Sequence, residues 1–142
     1  MTTTIDAVPR SVRRAALCLW ISAALGLLVT IAQATGLVAT VGASVAMTLV
    51  IGVATVGLLA FVAINVVRGR GWARWVFAVV YVVGTLTAAL LAVVAPAMFR
   101  VLPTILQTNI VVQFVLQTAA LVLMFTVASR HWFTSRNVST AP

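Results

Sequence analysis

The sequence predicts an all-α membrane protein with four transmembrane helices in an up-down-up-down bundle. Of the 142 residues, 63% are hydrophobic and 7% are charged, whereas a soluble domain carries about 45–50% and about 25%. Three long stretches contain no charged residue, 15–67, 75–99 and 101–129. Because one crossing takes about 20 apolar residues, the first stretch holds two helices and each of the others holds one.

The first two helices are expected at 14–35 and 44–67. Between them, the segment Thr35-Gly36-Leu37-Val38-Ala39-Thr40-Val41-Gly42 contains two glycines and two threonines, which lower helix propensity. The tripeptide Ala32-Gln33-Ala34 is similar to a signal-peptide cleavage site, but the apolar stretch before it is longer than a usual signal core. We therefore expect this stretch to be kept as the first span.

The other two helices are expected at 74–95 and 105–129. The segment Arg68-Gly69-Arg70-Gly71 ends the second helix. Pro96 and Pro103 bracket a turn before the fourth helix, since proline does not continue a helix interior.

The arginines predict the orientation of the chain. It has nine of them: three lie before or at the start of the first helix, three lie between the second helix and the start of the third, two follow the fourth, and one lies in the turn before the fourth. Because arginine-rich loops stay on the cytoplasmic side, we expect segments 1–13 and 130–142, which flank the transmembrane domain 14–129, in the cytoplasm. Arginine without lysine, with abundant alanine, valine and glycine, is typical of a GC-rich bacterial genome, so the expected location is the bacterial inner membrane.

The expected cytoplasmic interface combines arginine with tryptophan. Arginines meet lipid phosphates and tryptophans anchor at the headgroup level, so membrane lipids are the expected partners of Arg68, Arg70, Trp72, Arg74, Trp75, Arg130 and Trp132. The segment Arg68-Gly69-Arg70-Gly71-Trp72-Ala73-Arg74-Trp75 resembles the R-x-G-R-x-W-A-R-W/I segment that follows the second helix of many small actinobacterial integral membrane proteins of uncharacterised function. The resemblance implies a four-span bundle with this segment on the cytoplasmic face, and it implies no activity.

Small and polar residues repeat along the spans and predict how the helices pack. In lipid, helices associate through small residues and interhelical hydrogen bonds. Residues at i, i+4 and i+8 cover an arc of about 80° on a helix, so small residues at this spacing in the third span and amides in the fourth each form one face. The predicted helix-packing or partner-docking residues are Gly26, Gly52, Gly84, Ala88, Ala92, Asn109, Gln113 and Gln117.

The face of Asn109, Gln113 and Gln117 has three interpretations. Amides without hydrogen-bond partners are costly in hydrocarbon, so these side chains are expected to meet other helices, a partner protein or a polar cavity. We favour packing or docking over a transport cavity, because functional sites inside membranes more often carry ionisable groups.

Reactive side chains are scarce in this sequence. Asp6 is the only carboxylate side chain and His131 is the only histidine. The sequence therefore contains no catalytic acid–base pair, no Ser-His-Asp or Cys-His set and no cluster of metal ligands. We expect no enzymatic activity and no cofactor.

Two functions agree with this pattern. We expect a non-enzymatic accessory or scaffolding subunit of a larger bacterial membrane complex, with a protein partner within the membrane. Nucleic acid is not an expected partner, since the arginines flank apolar helices and form no basic stripe. The alternative is a small oligomeric transporter, channel or lipid-binding protein that uses the amide face of the fourth span.

Overall fold

The computed structural model describes residues 8–39 and 44–126, and this part of the chain contains five helices: α1 (Arg10–Ala34), α2 (Val45–Val67), α3 (Gly71–Val94), α4 (Pro96–Val101) and α5 (Thr104–Met124). Four of them, α1, α2, α3 and α5, are long and apolar enough to cross a membrane. No strand occurs within these two ranges. The predicted all-α class with four candidate membrane spans is confirmed.

Helix ends differ from expectation at four places, one of which is the start of α3 at Gly71 and not at 74. α1 begins at Arg10 and not at 14, because arginine favours helix and a charge-free run marks only the apolar part. α5 ends at Met124 and not at 129, where the Phe125 N–H donates to the Val122 carbonyl oxygen at 3.1 Å and tightens the last turn. The turn expected before the fourth span contains the short helix α4, which begins with Pro96 because proline fits the first helical position.

A glycine in the left-handed conformation ends α2. Gly69 has a φ of 78°, which glycine adopts without the steric cost of a β-carbon. Its N–H donates to the Val66 carbonyl oxygen at 3.0 Å, and the Arg70 N–H donates to the Asn65 carbonyl oxygen at 3.1 Å. These two bonds define a Schellman motif, which turns the chain sharply from α2 towards α3.

The long helices that contact one another run antiparallel. Gly26 of α1 lies beside Val56 of α2, and Thr30, one turn later in α1, lies beside Gly52, one turn earlier in α2. The contacts between α3 and α5 follow the same rule: Trp75 with Phe125, and Tyr81 with Thr118. Which end of the bundle faces the cytoplasm remains a prediction.

The hydrophobic core lies at one end of the bundle. It combines the first halves of α1 and α3 with the second halves of α2 and α5, and its buried members include Val12, Val66, Phe77 and Met124. Six arginines flank this end, which we call the arginine end: Arg10, Arg13, Arg14, Arg68, Arg70 and Arg74. Towards the other end α3 becomes largely exposed, and Leu90 keeps 63% of its surface accessible. Tight packing at the arginine end thus gives way to clefts at the other.

The closest approach of α1 and α2 is at Gly52. A methyl group added there would overlap the Thr30 side chain, whose Cβ would be only 3.0 Å away. Thr30 is buried, and its hydroxyl donates to the Gly26 carbonyl oxygen at 2.8 Å. Glycine therefore allows the two backbones to approach where a larger residue would separate them.

Candidate functional site

A hydrogen-bonded network joins α1 and α5 in the middle of the bundle. The Ser22 hydroxyl donates to Gln113 Oε1, and Gln113 Nε2 donates to the Ser22 carbonyl oxygen at 2.8 Å. Gln117 Nε2 lies 3.2 Å from Ser22 Oγ and 3.3 Å from Gln113 Oε1. Ser22 is completely buried and both glutamines are half-buried. Gly26 borders this network, because a methyl group there would contact Gln113 Nε2 at 3.4 Å.

Asn109 is the third amide of this face, and its environment differs. It lies two turns from Gln117 towards the α4 end of α5 and is half-buried. Within residues 8–39 and 44–126, its carboxamide has no hydrogen-bond partner. It lines three clefts between the helices. Asn109 therefore offers a donor and an acceptor to a group outside the described chain.

A cleft of about 410 Å³ lies between α2, α3 and α5. Gly84 and Ala88 line the α3 wall, and Asn109, Gln113 and Gln117 line the α5 wall. We call this the amide cleft.

Along Gly84 and Ala88, the α3 wall of the amide cleft is not packed against another described helix. Gly84 and Ala88 are exposed, and no heavy atom of another described residue lies within 4 Å of a β-carbon built on Gly84. Ala92 belongs to α3, but its side chain is outside the described part. The small-residue face that was predicted for helix packing is therefore left open along Gly84 and Ala88.

The amide cleft meets the hydrophobic core on the side of the arginine end, since Leu59 and Phe77 belong to both. A smaller hollow of about 250 Å³ between α1, α2 and α5 shares the three amides with it. One turn beyond Gln117, Ala120 is completely buried, and Phe77 and Leu59 are 2% and 6% exposed. Within the described chain, the polar lining thus reaches Gln117 and meets the core there.

A second polar group of residues lies at the arginine end. Arg70 Nη1 donates to Asn65 Oδ1 at 3.1 Å, and Asn65 Nδ2 donates to the Phe61 carbonyl oxygen at 2.7 Å. Asn65 is only 2% exposed, whereas Arg70 and Arg68 are exposed. The buried Asn65 side chain therefore restrains Arg70, which is one of two neighbouring exposed arginines.

Aromatic rings surround the other residues predicted for the lipid interface. The Arg74 guanidinium carbon lies 6.0 Å from the centre of the Trp75 ring and 5.7 Å from that of Phe125. Trp72 and Trp75 are 44% and 58% exposed. These exposed rings adjoin the charged loop, as in an aromatic belt. Arg130 and Trp132 lie outside the described residues.

The predicted site residues thus separate into packing residues in the middle of the bundle and interface residues at the arginine end. Gly26, Gln113 and Gln117 come together on α1 and α5, whereas Gly52 lies one α1 turn away against Thr30. Comparison with protein-family models, curated proteins and solved structures finds no match for this chain.

Two polar residues anchor the amide network and the Arg70 group. Ser22 was expected on the packing face of the first span with Gly26, whereas Asn65 was not among the predicted site residues. Ser22 precedes Gly26 by four residues and so shares its face of α1. Asn65 stands four residues before Gly69 and five before Arg70, the spacing that a Schellman motif brings together. Both signals were present in the sequence as spacings between residues.

Proposed function

We propose that the chain is a non-enzymatic accessory or scaffolding subunit of a larger bacterial membrane complex, joined to its partner through the amide cleft. The open α3 wall supports this function best. Gly84 and Ala88 allow another helix to approach closely, and the amides across the cleft offer hydrogen bonds to it. The expected partner is a transmembrane helix with a Ser, Thr, Asn or Gln side chain at the level of Asn109.

The amides favour a protein helix over hydrocarbon tails as the occupant. An amide that faces lipid tails has no hydrogen-bond partner there, and this is costly. A polar side chain on a neighbouring helix contributes about 0.6–2 kcal/mol per hydrogen bond in membranes. Asn109, which has no such bond within the described ranges, gains most from a docked helix.

Photo-cross-linking in intact cells tests the partner. We expect a photoreactive residue in place of Ala88 to form one discrete adduct with a second membrane protein. The matched control is position 83, because Val83 is 58% exposed on the same helix and borders none of the clefts described above. Gly84→Leu should abolish the adduct from position 88 by filling the α3 wall. Equal adducts from both positions, or none from position 88, would contradict the proposal.

The alternative is a small oligomeric transporter, channel or lipid-binding protein. The continuity of the amide cleft with the smaller hollow favours it, because the two share their amides. Cross-linking of position 88 to a second copy of the chain would support this alternative. An unchanged flux or lipid content in the double variant Gln113→Leu/Gln117→Leu would count against it.

Cysteine labelling tests the proposed orientation in the bacterial inner membrane. In a Cys18→Ser background, which removes the only cysteine, we expect Arg68→Cys to be shielded from an impermeant thiol reagent in intact cells. Ala97→Cys, in α4 at the opposite end, should be labelled. Both positions are exposed, so both should react after permeabilisation. The reverse pattern in intact cells would place the termini outside.

A further inference from the structure

The pair of Asn65 and Arg70 departs from the usual form of a Schellman motif. The two residues occupy the positions that this motif brings into contact, which are commonly apolar. Here they are joined by the 3.1 Å bond from Arg70 Nη1 to Asn65 Oδ1. A buried amide lowers stability unless it is hydrogen-bonded, and an apolar pair would close the same turn without that requirement. The polar pair therefore does more than end the helix, because it also holds the Arg70 guanidinium in a fixed position.

The Asn65 side chain is itself fixed in place. Its Nδ2 donates to the Phe61 carbonyl oxygen at 2.7 Å, and its surface is 2% exposed. An arginine side chain otherwise loses rotamer entropy when it is immobilised. Because Asn65 restrains Arg70 before any ligand arrives, less of this cost falls on binding.

Most of the Arg70 guanidinium remains available. A guanidinium has five N–H donors, and within residues 8–39 and 44–126 Asn65 is the only side chain to which Arg70 donates. Arg70 is exposed. Its planar donors match the oxygens of a phosphate, to which arginine binds through two parallel hydrogen bonds.

The position of this guanidinium corresponds to the headgroup layer of a bilayer. α2 has 23 residues and is about 34 Å long, whereas the hydrocarbon core is about 30 Å thick. The loop that carries Arg70 therefore lies beyond the hydrocarbon, beside the exposed rings of Trp72 and Trp75. The positive end of the α3 dipole adds to the charge there.

We propose that Arg70, held by Asn65, forms a specific binding site for the phosphate of an anionic phospholipid. The chain has a net charge of +8 with a single acidic side chain, so the arginine end attracts an anion. Neither Asn65 nor Arg70 lines the amide cleft. The proposed lipid site does not depend on the proposed accessory-subunit function, and each can fail without the other.

Native mass spectrometry of the full chain in detergent, with phosphatidylglycerol or phosphatidylcholine added, measures this binding. We expect Arg70→Gln to weaken phosphatidylglycerol binding about tenfold, the factor for one charge-assisted hydrogen bond. Phosphatidylcholine binding should be weaker from the start and should change less, because the choline cation neutralises its phosphate. The matched control is Arg68→Gln, which removes the same charge from an exposed arginine two residues away. It should change phosphatidylglycerol affinity less than about twofold, the effect of a screened surface charge.

Two charge-preserving variants separate geometry from charge. Arg70→Lys keeps the charge but removes the planar fork, and Asn65→Leu keeps every arginine but releases Arg70. Both should weaken phosphatidylglycerol binding by about threefold to tenfold, because a point charge or a mobile guanidinium replaces an oriented one. Far-ultraviolet circular dichroism should show the helix content of the wild type in both. If Asn65→Leu does not fold, the comparison of Arg70→Gln with Arg68→Gln still decides.

Two outcomes would overturn the proposal. Equal losses in Arg70→Gln and Arg68→Gln would show that only diffuse charge attracts the lipid. Displacement of phosphatidylglycerol by soluble glycerol 1-phosphate at equal concentration would show a site for free anions and not for a lipid. We expect no such displacement, because Trp72 and Trp75 follow Arg70 in the chain and their exposed rings would contact the rest of the lipid at the headgroup level.

Discussion

Replacing Gly52 with alanine should lower the free energy of unfolding by about 1–3 kcal/mol, the cost of one extra methyl group in a tightly packed interior. The new Cβ would overlap Thr30, which is buried and bonded to the Gly26 carbonyl oxygen. Either α2 moves away from α1 or Thr30 abandons its rotamer and its bond. Unfolding in mixed micelles, followed by far-ultraviolet circular dichroism, measures the loss.

Gly57 provides the matched control on the same helix. It is exposed, and no heavy atom of another described residue lies within 4 Å of a β-carbon built on it. Gly57→Ala should therefore raise stability by about 0.5–1 kcal/mol through helix propensity. Adding Thr30→Ala to Gly52→Ala should restore most of the loss, since it removes two of the three overlapping atoms. Similar stabilities for the two glycine variants would show that α1 and α2 do not meet at Gly52.

The number and type of the candidate membrane spans could be predicted from the sequence, because a segment that crosses hydrocarbon must meet simple requirements. A span must be long, apolar and uncharged, and these properties are local. The helix ends were less predictable. Arg10 lies inside α1 although it is charged, and Phe125 ends α5 within a charge-free run, because helix propensity and backbone bonds, not charge, determine where a helix stops.

The candidate site was predictable only in part, since it depends on which faces meet. The spacing of Asn109, Gln113 and Gln117 placed them on one face. It did not predict that two of them, Gln113 and Gln117, bond to Ser22 and that the third does not. The spacing of Gly84 and Ala88 indicated a packing face, but it did not predict that this face stays open to the amide cleft. Relations between distant segments decide such questions, and a single sequence carries little information about them.

Ser22→Ala should lower the free energy of unfolding by about 1–3 kcal/mol, the cost of leaving buried polar groups without partners. The variant removes the hydroxyl that donates to Gln113 Oε1 and accepts from Gln117 Nε2. The control is Thr87→Ala, because the Thr87 hydroxyl is exposed and donates within its own helix, to the Val83 carbonyl oxygen at 2.9 Å. It should change stability by less than about 0.5 kcal/mol. The same micellar unfolding experiment compares the two.

The triple variant Ser22→Ala/Gln113→Leu/Gln117→Leu tests what the network is for. Replacing every partner of a hydrogen-bonded group by apolar side chains is often nearly neutral, whereas removing one partner is not. We therefore expect the triple variant to be more stable than Ser22→Ala alone, and a further loss would contradict this account of the network. If the network only fixes α1 against α5, the stable triple variant keeps its cross-link from position 88. If the amides also bind the partner helix, as we propose, the triple variant folds but the cross-link is weakened, because that helix loses the polar wall it docks against.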